Sequence, residues 1–291
     1  MRQPPSIAVV LWTNRTLAEA PDLPTGLTAQ TVRPREVLRA APAGGRALPD
    51  AVTGSLARDY DILAFTSDRM QLRADWLEWL LRTFADSSAT AVGGPVICSA
   101  IGGSPGDVPG PSLLLADGRS MPAFVTPTSS PVLVDILSPE NMAIRLADLR
   151  PHDLALLRSA PGVTALVLRL HKLGLTAVCA PEAAAALEAS DLPDAAGFET
   201  PWDRRRVRAH VELLVSGLGA GDRHVRRYGA TVLRYGSHEV LGALRGYRTR
   251  SPRRTLSRLA AASVRTMRAL RGYVEALMVA LSRVRRVDAP R

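Results

Sequence analysis

Residues 62–81 read ILAFTSDRMQLRADWLEWLL. The stretch opens on an apolar run, passes a polar corner at Ser67-Asp68-Arg69 and closes in an amphipathic segment. Asp61–Phe65 is expected to form a strand, because a short continuous apolar run suits a strand buried on both faces. Asp75–Ala85 is expected to be a helix. Asp75 lies in its first turn, where the macrodipole favours negative charge, and Trp76, Leu77, Leu80 and Leu81 fall on one stripe.

The same alternation extends in both directions. Ser6–Trp12 (SIAVVLW) is another apolar run that reads as a buried strand, followed by the polar turn Thr13-Asn14-Arg15. Glu36–Leu38 gives a short second strand, and Leu48–Arg58 a weak helix. Downstream, Ala91–Ile97 reads as a strand interrupted by Gly93-Gly94, and Val132–Leu137 as a further strand. A helix is expected after Asn141 and another over Gly162–Leu173, ended by Gly174; Thr176–Ala180 is a strand stopped by Pro181. Residues 101–131, rich in Gly, Pro and Ser, read as loop, GGSPG at 102–106 included. Strands separated by helices describe an α/β layered, Rossmann-like sheet ending near residue 200. The expected domains are therefore 1–200, the α/β body, and 201–291, an Arg-rich helical extension.

The totals are those of a globular protein: 291 residues, 46% hydrophobic and 22% charged. The two cysteines, Cys98 and Cys179, have no partner at metal-ligand spacing and read as buried thiols of a reducing compartment. The first apolar run is too short for a secretion signal, and no window reaches the roughly 20 apolar residues of a membrane span. A cytoplasmic protein is the expectation, with a peripheral place at the inner face of the membrane left open. The histidines show no metal-binding pattern, and GLGAG at 217–221 follows a helix rather than a strand, so it reads as a joint.

Charge is unevenly placed. Residues 202–291 carry 21 arginines against 6 acids, a net of +15, so residues 1–201 carry −5 of the total of +10. That asymmetry points the tail toward an anionic partner. From Leu256 a stripe runs through Ala260, Ser263, Met267, Leu270, Val274, Leu277, Leu281 and Val284 in steps of four and three, a heptad spacing with arginines on the other faces. Three readings follow for the 251–287 helix: packing on its own domain, pairing with a partner protein, or lying on an anionic membrane surface. Tyr228, Tyr235, Tyr247 and Tyr273, each near an arginine, suit a headgroup boundary. Nucleic acid is the weaker reading, because the stripe asks for a buried face.

In order, these pieces resemble the family-2 glycosyltransferases, inverting enzymes with a GT-A fold. SIAVVLWTNR resembles the family's first strand and Thr-x-Asn-Arg turn, and QTVRPREVL its second strand. DYDILAF with RADWLEWLL resembles the strand and helix that flank its metal corner. ENMAIR (Glu140–Arg145) is similar to its acceptor-side segment, and LVLRLHKLGLTAVCAPEA to its Arg-Leu helix and following strand. The match spans residues 6 to about 190.

The resemblance implies a nucleotide-sugar donor, with Asn14, Arg15, Ser67, Asp68 and Arg69 on the donor side and Asn141 and Arg169 toward the acceptor. Departures from the family pattern are as telling. Its nucleoside-binding acid falls at Arg39-Ala40, its Asp-x-Asp metal corner at Ser67-Asp68-Arg69, and its catalytic Glu-Asp pair at Gly162-Val163. Transfer from a nucleotide-sugar needs charge stabilisation on the leaving diphosphate and a base for the acceptor hydroxyl. With all three acidic sets eroded, the resemblance implies a scaffold without donor chemistry, a non-catalytic or impaired partner of an active glycosyltransferase or membrane pathway enzyme. No cofactor is expected, magnesium or manganese entering only if the Asp68 corner still works. The alternative is a metal-free transferase in which Arg69 neutralises the diphosphate, Asp68 positions the sugar, and Glu140 or Asp153 is the base. Against that stands Arg69 as a solvated surface charge.

Overall fold

A computed structural model describes residues 5–13, 23, 25–40, 59–98, 111–122, 130–187, 204–245 and 252–287. Asn14, Arg15, the expected helix at 48–58 and the GGSPG stretch lie outside the described residues. The chain divides into two compact units: Met1–Leu114 with Ser120–Pro193, and Leu115–Arg119 with Asp194–Arg291.

The first unit is built on a mixed sheet. Its strands are β1 (Ile7–Trp12), β2 (Glu36–Ala40), β3 (Ile62–Ser67), β5 (Ala91–Gly93), β9 (Val132–Val134), β10 (Asn141–Arg145) and β11 (Ala177–Cys179), and their order is β2-β1-β3-β10-β5-β11-β9. β1 pairs in parallel with β2 and β3, β11 with β5, while β10 runs antiparallel between β3 and β5 and β9 antiparallel to β11. The expected α/β layering is present.

Side chains alternate across this sheet with the period of two that a strand imposes. Ala8, Val10, Trp12, Leu63, Phe65, Met142 and Ile144 pack on one face with Val163, Leu166, Val167 and Leu170 of a helix over Ala160–Lys172. Ile7, Val9, Ile62, Ala64, Ala143 and Val178 pack on the other with Trp76, Leu77, Leu80 and Phe84 of a helix over Trp76–Asp86. Helices therefore cover both faces, which is why the central strands read as unbroken apolar runs. These two helices are α2 (76–86) and α3 (160–172); α1 is the single turn Thr25–Thr28. α3 starts where its sequence directs: Ser159 accepts from the Gly162 N–H, and a proline occupies the first turn.

A smaller sheet joins the large one at three crossings. Its strands β4 (Met70–Leu72), β12 (Ala185–Leu187) and β6 (Val96–Cys98) lie in that order. The chain leaves β3 for β4 through Asp68-Arg69, β5 for β6 through Gly94-Pro95, and β11 for β12 through a 3-10 turn at Pro181–Ala183. A Cβ on Gly94 would lie 1.8 Å from the Ala183 carbonyl oxygen, so only glycine permits this approach. Asn141, wholly buried, brackets the junction. Its Nδ2 donates to the carbonyls of Pro95 at 3.0 Å and Ala183 at 2.9 Å, and its Oδ1 accepts from Trp76 Nε1 at 2.7 Å.

Several sequence expectations are corrected. The segment after Asn141 is a strand, not a helix, because it fills the gap between β3 and β5 and buries both its faces. Ala91–Ile97 is two strands in different sheets, split at the glycine pair. Within 101–131, Ser112–Leu114 (β7) and Ser120–Pro122 (β8) pair as a hairpin rather than loop.

In the second unit, α4 (Arg204–Leu218), α5 (Arg223–Arg245) and α6 (Pro252–Val287) pack together. The expected heptad stripe is not the buried seam. Ala262, Ala269 and Ala276 are buried, whereas Met267 and Val274 are 65% and 48% exposed. Leu256, Leu281 and Val284 lie outside the described side chains. Small residues set the seam: a Cβ on Gly236 of α5 would sit 2.1 Å from Thr266 Cγ2 of α6. His210 of α4 donates Nε2–H to the Gly118 carbonyl at 2.7 Å and its ring lies 4.6 Å from that of Tyr228.

Two stability outcomes follow. Asn141→Ala strands two carbonyls and an indole N–H without partners and is expected to cost about 3 kcal/mol or more, read as a lowered urea midpoint. Burial pushes the His210 imidazole below its ordinary 6.5, the hydrogen bond to Gly118 opposing this. The unfolded chain then takes up the proton first, so the stability His210 contributes is complete above 6.5 and is lost as pH falls through the lower folded value. Thermal midpoints between about pH 7.5 and about 5, a range that brackets the ordinary histidine pKa, should fall more steeply for the wild type than for His210→Gln; parallel slopes would refute this.

Candidate functional site

The sequence-selected corner lies where β3 passes into β4, at the end of β3 that neighbours the end of β1. Trp12 and Ser67 are register partners, and the Asp68 N–H donates to the Trp12 carbonyl at 3.0 Å. The next residue of that chain end, Thr13, donates its hydroxyl to Asp68 Oδ2 at 2.6 Å. Two strand ends are thus tied by main chain and side chain together. Ends of parallel strands are where α/β sheets place ligand crevices.

Arg69 is not a solvated surface charge. Its Nη2 contacts Glu140 Oε1 at 2.6 Å, with the side chains 29% and 20% exposed. Glu140 approaches from the turn before β10, where its N–H donates to Ser138 Oγ at 3.3 Å and the neighbouring Pro139 carbonyl accepts from Trp12 Nε1 at 2.9 Å. The strongest positive group of the corner and one candidate base therefore hold each other. The buried hydroxyls of Thr66 and Ser67 have no hydrogen-bond partner among the described residues.

The remaining candidates lie elsewhere in the first unit. Asp153 is 1% exposed, its Oδ1 2.7 Å from Arg169 Nε and its Oδ2 accepting from the Arg150 N–H at 3.2 Å. That ion pair ties the 150–158 segment to α3. Asn141 is the buried bracket described above, with its amide fully occupied. Gly162 and Val163 form the first turn of α3, Val163 buried in the core. Arg39 is exposed on β2 and Ala40 buried. His171 Nδ1 lies 2.9 Å from Asp135 Oδ1. Thr13 enters the sequence reading only as part of the Thr13-Asn14-Arg15 turn, and that turn directly after a buried strand is the signal for its place at the corner.

Among the described residues, the corner offers a poor fit for a divalent cation. Such an ion takes several carboxylate or carbonyl oxygens at once. Among the described residues no three His, Cys, Asp or Glu side chains converge on a metal position. Of the corner's two carboxylates, Asp68 is engaged by the Thr13 hydroxyl and Glu140 by a guanidinium. A dication beside Arg69 would also meet like charge.

No family model matches the sequence, nor does any curated protein. Among solved structures, S. aureus TarS 1–349 in complex with UDP-GlcNAc is similar with a TM-score of 0.43 and 9% identity, over 91% of this chain and 81% of that one. The complex of TarS 1–349 with UDP gives 0.43 and 11%, over 98% and 93%. GalNAc-T7 with UDP, GalNAc and Mn2+ gives 0.45 and 8%, over 96% and 57%. Among the described residues, no helix is long and apolar enough to cross a membrane.

The Arg69–Glu140 pair is expected to be coupled. A double-mutant cycle of Arg69→Ala and Glu140→Ala should give an interaction of about 1 kcal/mol or more, because removing one partner leaves a half-buried charge. A coupling indistinguishable from zero would show the pair to be incidental.

Proposed function

We propose that this chain is a glycosyltransferase-like scaffold of GT-A type whose donor corner no longer seats a metal-bound nucleotide-sugar, and that it serves as a non-catalytic or impaired partner in a glycan pathway. The motif order from SIAVVLWTNR to LVLRLHKLGLTAVCAPEA supports the family reading. The observation that carries the functional one is the ion pair between Arg69 and Glu140.

In an active site of this kind, positive charge at the corner must face the departing diphosphate and a carboxylate must face the acceptor hydroxyl. Here each group answers the other instead. A diphosphate at this corner would compete with Glu140 for the Arg69 Nη2 donor, and an acceptor hydroxyl would compete with Arg69 for Glu140 Oε1. Bidentate phosphate binding could compensate the first exchange, which keeps the metal-free transferase as a defined outcome rather than the favoured reading. Asp153 is buried and paired with Arg169 in either case.

Calorimetry with UDP, GDP and dTDP, each with and without manganese, separates the cases. The scaffold reading predicts dissociation constants weaker than about 1 mM throughout. Micromolar binding without metal that disappears in Arg69→Ala would instead establish the metal-free enzyme.

A further inference from the structure

The seam of α6 leaves its larger apolar side chains outside. Val264, Met267, Val274 and Met278 are 49%, 65%, 48% and 62% exposed. At about 100° per residue they fall within about 80° of arc, diametrically opposite the buried Ala262, Ala269 and Ala276. Arg271 lies in the middle of this stripe and exposed Arg268 beside it. Arg271 contacts Glu275 Oε1 at 2.8 Å, but Glu275 also binds Arg204 at 2.7 Å, so two guanidiniums share one carboxylate and positive charge remains.

We propose that this outward face of α6 docks on an anionic lipid bilayer. Two observations choose that occupant. The first is charge complementarity: the segment 202–291 carries +15, an attraction that anionic lipid satisfies. The second is the position of Arg271. In a dry seam against a partner helix, a guanidinium between Met267 and Val274 would be stripped of water without a new counter-charge. At a headgroup boundary the same side chain extends along the helix to a phosphate while the methionines and valines enter the acyl region. The helix runs 36 residues, about 54 Å, long enough to lie in the interface plane.

Flotation of the full chain with phosphatidylcholine vesicles, with and without phosphatidylglycerol, tests this. The protein should float only with the anionic vesicles and be released by high salt. Met267→Asp with Met278→Asp, and separately Arg268→Glu with Arg271→Glu, should each lower partitioning about tenfold or more, since single basic residues near the surface are worth about fivefold each. Far-UV circular dichroism establishes that each variant keeps its helices, and the charge reversal, wholly at exposed positions, stands as the second arm if the apolar variant unfolds. Absence of flotation, flotation independent of anionic lipid, or undiminished flotation of both variants would overturn the proposal. So would binding to single-stranded RNA without binding to vesicles.

Discussion

The first unit depends on one buried carboxamide. Asn141 sits at the start of the central antiparallel strand and holds the Pro95 and Ala183 carbonyls while receiving the Trp76 indole N–H. These three partners lie at two of the crossings between the large and small sheets and at the head of the helix that follows the third. A buried amide is stable only when its donors and acceptors are met, and this one is met by groups from three separate parts of the chain. The junction between the two sheets is held by that arrangement.

On this frame the electrostatics of the corner are closed upon themselves. Thr13 holds Asp68 and Glu140 holds Arg69. A donor site is preorganised when its charges point at the position where the ligand develops charge. In this corner Asp68 and Arg69 each have a side-chain partner within the protein, and the surrounding backbone ties β1 to β3. The bracket at Asn141 and the corner at Asp68 and Arg69 use different residues.

Much of the α/β unit was legible in the sequence, since β1 and β3 are covered on both faces and leave continuous apolar runs. β10 was not. NMAIR is short, contains good helix formers and shows no alternation, and only its two strand neighbours make it extended. The ion pair at the corner was hidden for a similar reason: Arg69 and Glu140 are 71 residues apart and meet only through sheet topology. The tail shows the opposite error. Its heptad stripe, mostly large apolar residues with Ala260 and Ser263 among them, suggested a buried seam, yet alanines, glycines and Thr266 form the contact because they let helices approach closely. Hydropathy marks what can be buried, while side-chain size decided what was.

We propose that the Ser67–Arg69 corner does not seat a divalent cation, and manganese titration followed by electron paramagnetic resonance in the presence of UDP tests this directly. The expected result is a free-ion signal no smaller than in UDP buffer without protein. Loss of that signal on adding the chain, restored by Asp68→Asn, would contradict it.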